Sequence, residues 1–131
     1  MKTAWLFPGQ GSQVLGMGVD LLTIDTARVT FDRATAILGW SVVDICQNDQ
    51  VKLANTSYTQ PCLYVIESIL ADLLIEQGLK PDVVAGHSLG EYVALYVAGV
   101  FDFETGLQLV KRRAELMALA SEGEMTALLG F

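Results

Sequence analysis

With 131 residues, the chain is long enough for one domain with a real core and no more. Eight Lys and Arg against fifteen Asp and Glu, a net charge of −7, leave no basic stripe for nucleic acid, and no apolar run nears the roughly 20 residues that span a bilayer. Only 18% of residues are charged, against about 25% in ordinary soluble domains, and the mean hydropathy is +0.42, so the chain either buries an unusual fraction of itself or has surface that something else covers.

Residues 3–7 (TAWLF) read as a short apolar strand, and PGQGSQ after it as a turn-rich loop. A Gly-Gln-Gly tip there can present backbone N–H groups at the carboxyl edge of a sheet, though a plain strand-to-helix loop fits equally well. It is not a phosphate loop, since no Lys-Ser or Lys-Thr pair follows and the glycine spacing is wrong. The N-terminus has no apolar segment of secretory length and no small-residue cleavage site, which places the expected location in the cytoplasm.

A short helix is expected over residues 16–22, then a longer one capped by Asp25 or Thr26, running to Leu38 with Val29, Phe31, Ala34 and Ile37 on its buried side and stopped by Gly39. Another short helix at 41–46 leads through a polar loop to turn residues at 55–59. Pro61 then suits the opening of a core helix over 60–76, where its missing N–H is not needed, and Gly78 ends that helix. Gln60 is a candidate to face a cleft. Cys46 and Cys62 have neither C-x-x-C spacing nor a neighbouring histidine, so buried thiols are expected rather than a disulfide or a metal site.

The centre of the chain is VVAGHSLG, residues 83–90. A buried strand ending in G-x-S-x-G and followed by a helix over 89–98 fits a nucleophile elbow, with Ser88 at the tip and two glycines that make room for the turn. The helix would aim its free N–H groups at whatever lies over Ser88, a place for negative charge. Strand, helices, strand and helix in this order imply an α/β fold with a parallel sheet flanked by helices.

Asp102 caps a last helix over 103–118. On a helical wheel Phe103, Gly106, Leu107, Leu109, Val110, Ala114, Leu116, Met117 and Ala118 form one apolar arc, and Arg113 falls inside it. A guanidinium keeps its proton, so on a buried face it needs an anion, either an acidic side chain or a bound carboxylate, unless it snorkels to solvent. Its planar fork suits bidentate capture of a carboxylate. Residues 121–124 mark a boundary, and a loop and new strand are expected after it.

Together FPGQGSQ (7–13), TQPCL (59–63), GHSLGE (86–91) and LVKRRAELM (109–117) resemble the malonyl-CoA:acyl-carrier-protein transacylases, in the spacing that family shows and over essentially the whole chain. The resemblance implies an acyltransferase large subdomain with a hydrolase-like core, incomplete here. Residues 1–122 would be its N-terminal part, and 123–131 the first strand of a small ferredoxin-like subdomain whose remainder is absent. It implies a stand-alone, monomeric enzyme that moves malonyl groups from malonyl-CoA to the phosphopantetheine thiol of acyl carrier protein, in fatty-acid or polyketide synthesis. No cofactor or metal is implied beyond the coenzyme A thioester itself. Ser88 would be the nucleophile, the backbone N–H groups of Gln10 and Leu89 the oxyanion hole, and Arg113 the grip on the malonyl carboxylate.

Two departures matter. Ala114 stands where the family usually has glycine, and the histidine that activates the serine in this family is not within these residues. His87, the one histidine of the chain, would point away from Ser88 as its neighbour on a strand, so these residues alone are expected to be inactive. A serine esterase of the α/β-hydrolase kind and a non-catalytic interaction domain remain the alternatives. The esterase gives no reason for Arg113, and the interaction domain none for the chemistry of the elbow.

Overall fold

A computed structural model describes residues 1–124 and 126–130. Strand β1 (Ala4–Phe7) pairs in parallel with β2 (Val83–Gly86), Ala4 opposite Val83 and Phe7 opposite Gly86. Between them lie a 3-10 turn (Val19–Thr23) and the helices α1 (Asp25–Leu38), α2 (Val42–Asn48), α3 (Gln50–Leu53) and α4 (Thr56–Glu76). After β2 come α5 (Gly90–Val97) and α6 (Phe103–Leu119). The expected parallel sheet with flanking helices is therefore present, as two strands.

The core is built around α4. Leu63, Val65, Ile66 and Ile69 are buried, as is Tyr64, whose hydroxyl donates to the Phe103 carbonyl at 3.1 Å while its ring stacks on that of Phe103. Gly106 has a packing reason to be glycine, because a Cβ there would overlap the Tyr64 hydroxyl and the Phe101 ring. The α5 helix packs on both strands and on α4 and α6, which brings the end of β2 close to the middle of α6.

Several local expectations need correction. Instead of a helix at 16–22 there are turns and the 3-10 segment, since Gly16 and Gly18 both take positive φ. No side chain caps α1: Asp25 is its first residue and pairs with Arg28 instead, and its buried face is Ala27, Phe31, Ala34 and Leu38, with Val29 exposed. The polar loop before α4 contains the single turn of α3, capped by Asp49. Helix α4 begins four residues before Gln60, so Pro61 lies inside it. Asn55 caps it by accepting from the Ser57 amide at 3.0 Å. Ser, Thr and Asn favour caps as readily as turns, which is why residues 55–59 read as a turn.

The apolar arc of α6 is only partly covered. Leu107, Val110 and Ala114 are buried, whereas Leu109, Leu116 and Met117 are exposed because no described element packs on that side. The strand expected over residues 123–131 is not formed at 123–124 or 126–130, and Met125 and Phe131 lie outside the described residues. No helix among the described residues is long and apolar enough to cross a membrane.

On the other side of α4, Glu67 is only 7% exposed and its carboxylate finds no hydrogen-bond partner among the described residues. It borders an open groove of about 400 Å³ that β1 and α4 line with Trp5, Leu6, Leu70 and Leu74. Burial alone pushes its carboxyl up from 4.5 to about 8.

Candidate active site

The chain leaves β2 at Gly86 and turns into α5 within three residues. Ser88, at the apex, has φ 51°, the one positive φ of a non-glycine residue among those described. Such a conformation costs about 1–3 kcal/mol and persists only where surrounding structure imposes it. Here the imposing contacts are backbone to backbone. A Cβ on Gly86 would overlap the backbone of Gly90 and Glu91, and one on Gly90 would overlap the carbonyl of Phe7 at the end of β1. Both glycines are therefore required by close approach rather than by their own dihedral angles. The turn closes with hydrogen bonds from Gly90 N to His87 O at 3.0 Å and from Glu91 N to Ser88 O at 3.2 Å.

The loop after β1 presses against this turn. Gly9 lies so close that a Cβ would overlap the His87 carbonyl and come within 3.4 Å of Ser88 Cβ. Ser12 ties the loop back by donating from its amide and hydroxyl to the Gly9 carbonyl, at 3.2 and 2.8 Å. Among the described residues the amides of Gln10 and Leu89 donate no hydrogen bond, so two N–H groups are left free on the two segments that meet at Ser88. Ser88 is exposed, whereas the side chain of Leu89 is fully buried and anchors the turn in the core.

Arg113 reaches this turn from α6. Its Nη2 donates to Ser88 Oγ at 2.9 Å, and its Nη1 donates to Gln60 Oε1. Gln60 is fully buried and is held in turn, its Nε2 donating to Thr56 Oγ1 at 3.2 Å and to Met117 Sδ at 3.3 Å. The Thr56 hydroxyl donates onward to the Gln10 side chain. One connected set of hydrogen bonds thus runs from the loop after β1, through α4, to the guanidinium and the serine. The Arg113 Cζ also lies 5.6 Å from the ring centroid of Tyr92. No acidic side chain pairs with Arg113 among the described residues, although other arginines, Arg28, Arg33 and Arg112, each do.

Of the four residues singled out from the sequence, Ser88 and Arg113 touch, Gln10 joins their hydrogen-bond set through its side chain and Thr56, and Leu89 follows Ser88 in the turn. Of the three readings left open for Arg113, the acidic partner is not found among the described residues, and the head group is held by Gln60 and Ser88. Gln60 faces this site, as suspected. Tyr92, Thr56 and Met117 were missed. For Met117 a signal existed, because it lies four residues from Arg113 on the same face of α6. His87 is exposed, gives its amide to the Phe7 carbonyl at 2.9 Å, borders a groove with Leu6, Pro8 and Ala85, and makes no hydrogen bond to Ser88.

The site is a serine in strained backbone at the carboxyl edge of a parallel sheet, touching an arginine with no acidic partner among the described residues, in an α/β chain. Residues 4–129 match the acyl transferase domain, and the chain belongs to that family. It is 67% identical to the malonyl CoA-acyl carrier protein transacylase of Synechocystis over all of its own length and 45% of that protein's. It is also 49% identical to a polyketide biosynthesis malonyl CoA-acyl carrier protein transacylase of Bacillus subtilis, over 96% of this chain and 44% of that one. The crystal structure of the Synechocystis malonyl-CoA:ACP transacylase superposes with a TM-score of 0.88 at 69% identity, covering 90% of this chain and 40% of that one. The chain thus spans less than half the length of the curated relatives it matches.

Proposed function

We propose that the protein containing this chain transfers a malonyl group from malonyl-CoA to the phosphopantetheine thiol of an acyl carrier protein, in fatty-acid or polyketide synthesis. Ser88 is the nucleophile, the turn that carries it is a nucleophile elbow, and the core is that of a hydrolase-like large subdomain. The observation that carries this reading is the 2.9 Å contact between the Arg113 guanidinium and Ser88 Oγ, made by an arginine with no acidic partner among the described residues. An arginine so placed can take the distal carboxylate of a dicarboxylic acyl group while the thioester carbonyl lies over the serine. Hydrolysis of simple esters has no use for it.

The chemistry follows from the geometry. Ser88 Oγ attacks the thioester carbonyl, and the charge that develops on its oxygen is met by the free amides of Gln10 and Leu89, a stabilisation usually worth about 2.7–4 kcal/mol per donor. The C–O bond forms, the C–S bond breaks, and coenzyme A leaves as its thiol with the proton taken from Ser88. The carrier thiol then attacks the acyl-serine and restores the hydroxyl. The base that moves the proton is not His87, whose side chain makes no hydrogen bond to Ser88, so it is contributed from outside these residues. An acyl group without the carboxylate leaves Arg113 unpaired, which disfavours acetyl transfer.

The test is intact-mass spectrometry of the complete protein after mixing with malonyl-CoA. One malonyl group on Ser88 is the expected result, and unchanged mass would rule the reading out. Arg113→Ala should lower malonyl loading by about 100-fold while acetyl loading changes far less. Equal losses for both donors would remove the assigned role of Arg113.

A further inference from the structure

Hydrogen bonds locate the two ends of the Arg113 fork but do not by themselves fix the plane in which it lies. Nη1 is on Gln60 and Nη2 on Ser88, and rotation about the line joining them would swing the remaining N–H groups through a wide arc. The aromatic ring beside the guanidinium is that of Tyr92. It sits in the first turn of α5, four residues beyond Ser88, half-buried against the core, with its ring 5.6 Å from the guanidinium carbon. An aromatic face attracts a guanidinium and holds it within about 6 Å of the centroid.

We infer that Tyr92 is a positioning residue for the acyl carboxylate: its ring face holds the Arg113 plane so that the unused N–H donors point to the acyl group on Ser88. This rests on the proposed function and deepens it. The nucleophile and the ring that orients its carboxylate partner are then only four residues apart, at the turn into α5 and in its first turn, so the separation between ester carbon and carboxylate depends on this short segment and on where α6 places Arg113. Malonyl, with one carbon between its two carbonyl groups, is the dicarboxylic chain for which such a short separation matters most. The ring face, not the phenol hydroxyl, does this work, so phenylalanine should replace tyrosine and an electron-poor ring should not.

The experiment compares Tyr92→Phe, Tyr92→Leu and incorporation of pentafluorophenylalanine at position 92 in the complete protein. Malonyl-CoA and acetyl-CoA serve as donors. Tyr92→Phe should load malonyl within about twofold of wild type. The fluorinated ring, which keeps its size and reverses the charge of its face, should lower kcat/KM for malonyl about tenfold, mainly through KM, and leave acetyl loading unchanged. Tyr92→Leu should follow the fluorinated ring. Loss of equal size for both donors, or no loss with the fluorinated ring, overturns the inference. Thermal melting identifies a variant that has merely unfolded.

A second readout does not depend on turnover. The Arg113 side-chain protons, assigned by their disappearance in Arg113→Lys, should show an upfield ring-current shift in wild type and Tyr92→Phe that vanishes in Tyr92→Leu. An unshifted wild-type signal overturns the stack. If the wild type loads no acyl group while the shift is present, the proposed function fails and the stack stands.

Discussion

Two buried polar side chains on α4, Gln60 and Glu67, lie two turns apart and meet opposite fates. Gln60 is fully buried, and both ends of its amide are engaged, the oxygen by Arg113 and the nitrogen by Thr56 and Met117. Glu67 is nearly as buried, yet its carboxylate has no partner among the described residues. The neutral amide is the one set against a cation, and the acid is the one left among apolar groups. This division is physically sensible. A carboxylate at position 60 would neutralise Arg113 permanently, whereas an amide holds the guanidinium and leaves its charge available to a substrate. At position 67 the carboxyl avoids the cost of a buried charge by keeping its proton, which is why burial raises it to about 8.

The largest expected effect that would break this comparison is on stability at position 67. Because the folded value lies above the ordinary 4.5, the folded chain holds this proton more tightly than the unfolded chain does. The associated stability is fully present below about pH 4.5, falls as pH rises, and is gone above about 8. Glu67→Leu should abolish that decline, worth on the order of 5 kcal/mol between the two limits. Denaturant melts of this chain at pH 5 and pH 8 measure it. Parallel slopes for the two proteins would mean that Glu67 is charged and partnered after all.

A smaller effect sharpens the other half. Gln60→Leu leaves Nη1 of Arg113 without its acceptor, and a double-mutant cycle with Arg113→Ala on malonyl loading should give a coupling of about 1–3 kcal/mol. Additive losses would show that the two side chains act separately. Smallest of all, Thr56→Val removes one of the two acceptors that hold the Gln60 amide and should cost about 0.5–1.5 kcal/mol. It should be visible as a drop in malonyl loading with acetyl loading unmoved. A loss shared by both donors would place Thr56 in general stability only.

How much of this was legible beforehand varies with the kind of signal. The turn at Ser88 could be read because its pattern is local, a serine between two glycines with an apolar strand before and a helix after, although the backbone that Gly90 must clear belongs to Phe7 on the other strand. Asp102 and Gly39 likewise marked helix ends by chemistry that acts within a few residues. The beginning of α4 was misread because Asn, Ser and Thr serve turns and caps alike, and Pro61 is tolerated inside a helix that tertiary packing supports. The stripe of α6 correctly singled out Arg113 as an anomaly, yet the same stripe assigned burial to Leu109, Leu116 and Met117, which are exposed. Periodicity says which residues share a face, and it does not say what covers that face.

From the order of residues alone came the inventory of chemistry: a serine between two glycines, a turn-rich loop after the first strand, and an arginine on an apolar face. Each is a pattern legible within a turn or two of chain, because side-chain type and helical periodicity act over that range. Only the tertiary structure decided that Arg113, 25 residues from Ser88, would touch its hydroxyl, that Gln60 would accept from the guanidinium with Tyr92 beside it, and that Glu67 would have no partner among the described residues. Those contacts join α4, α5 and α6, and which faces of separate helices meet is settled by how the whole core packs around Tyr64 and its neighbours.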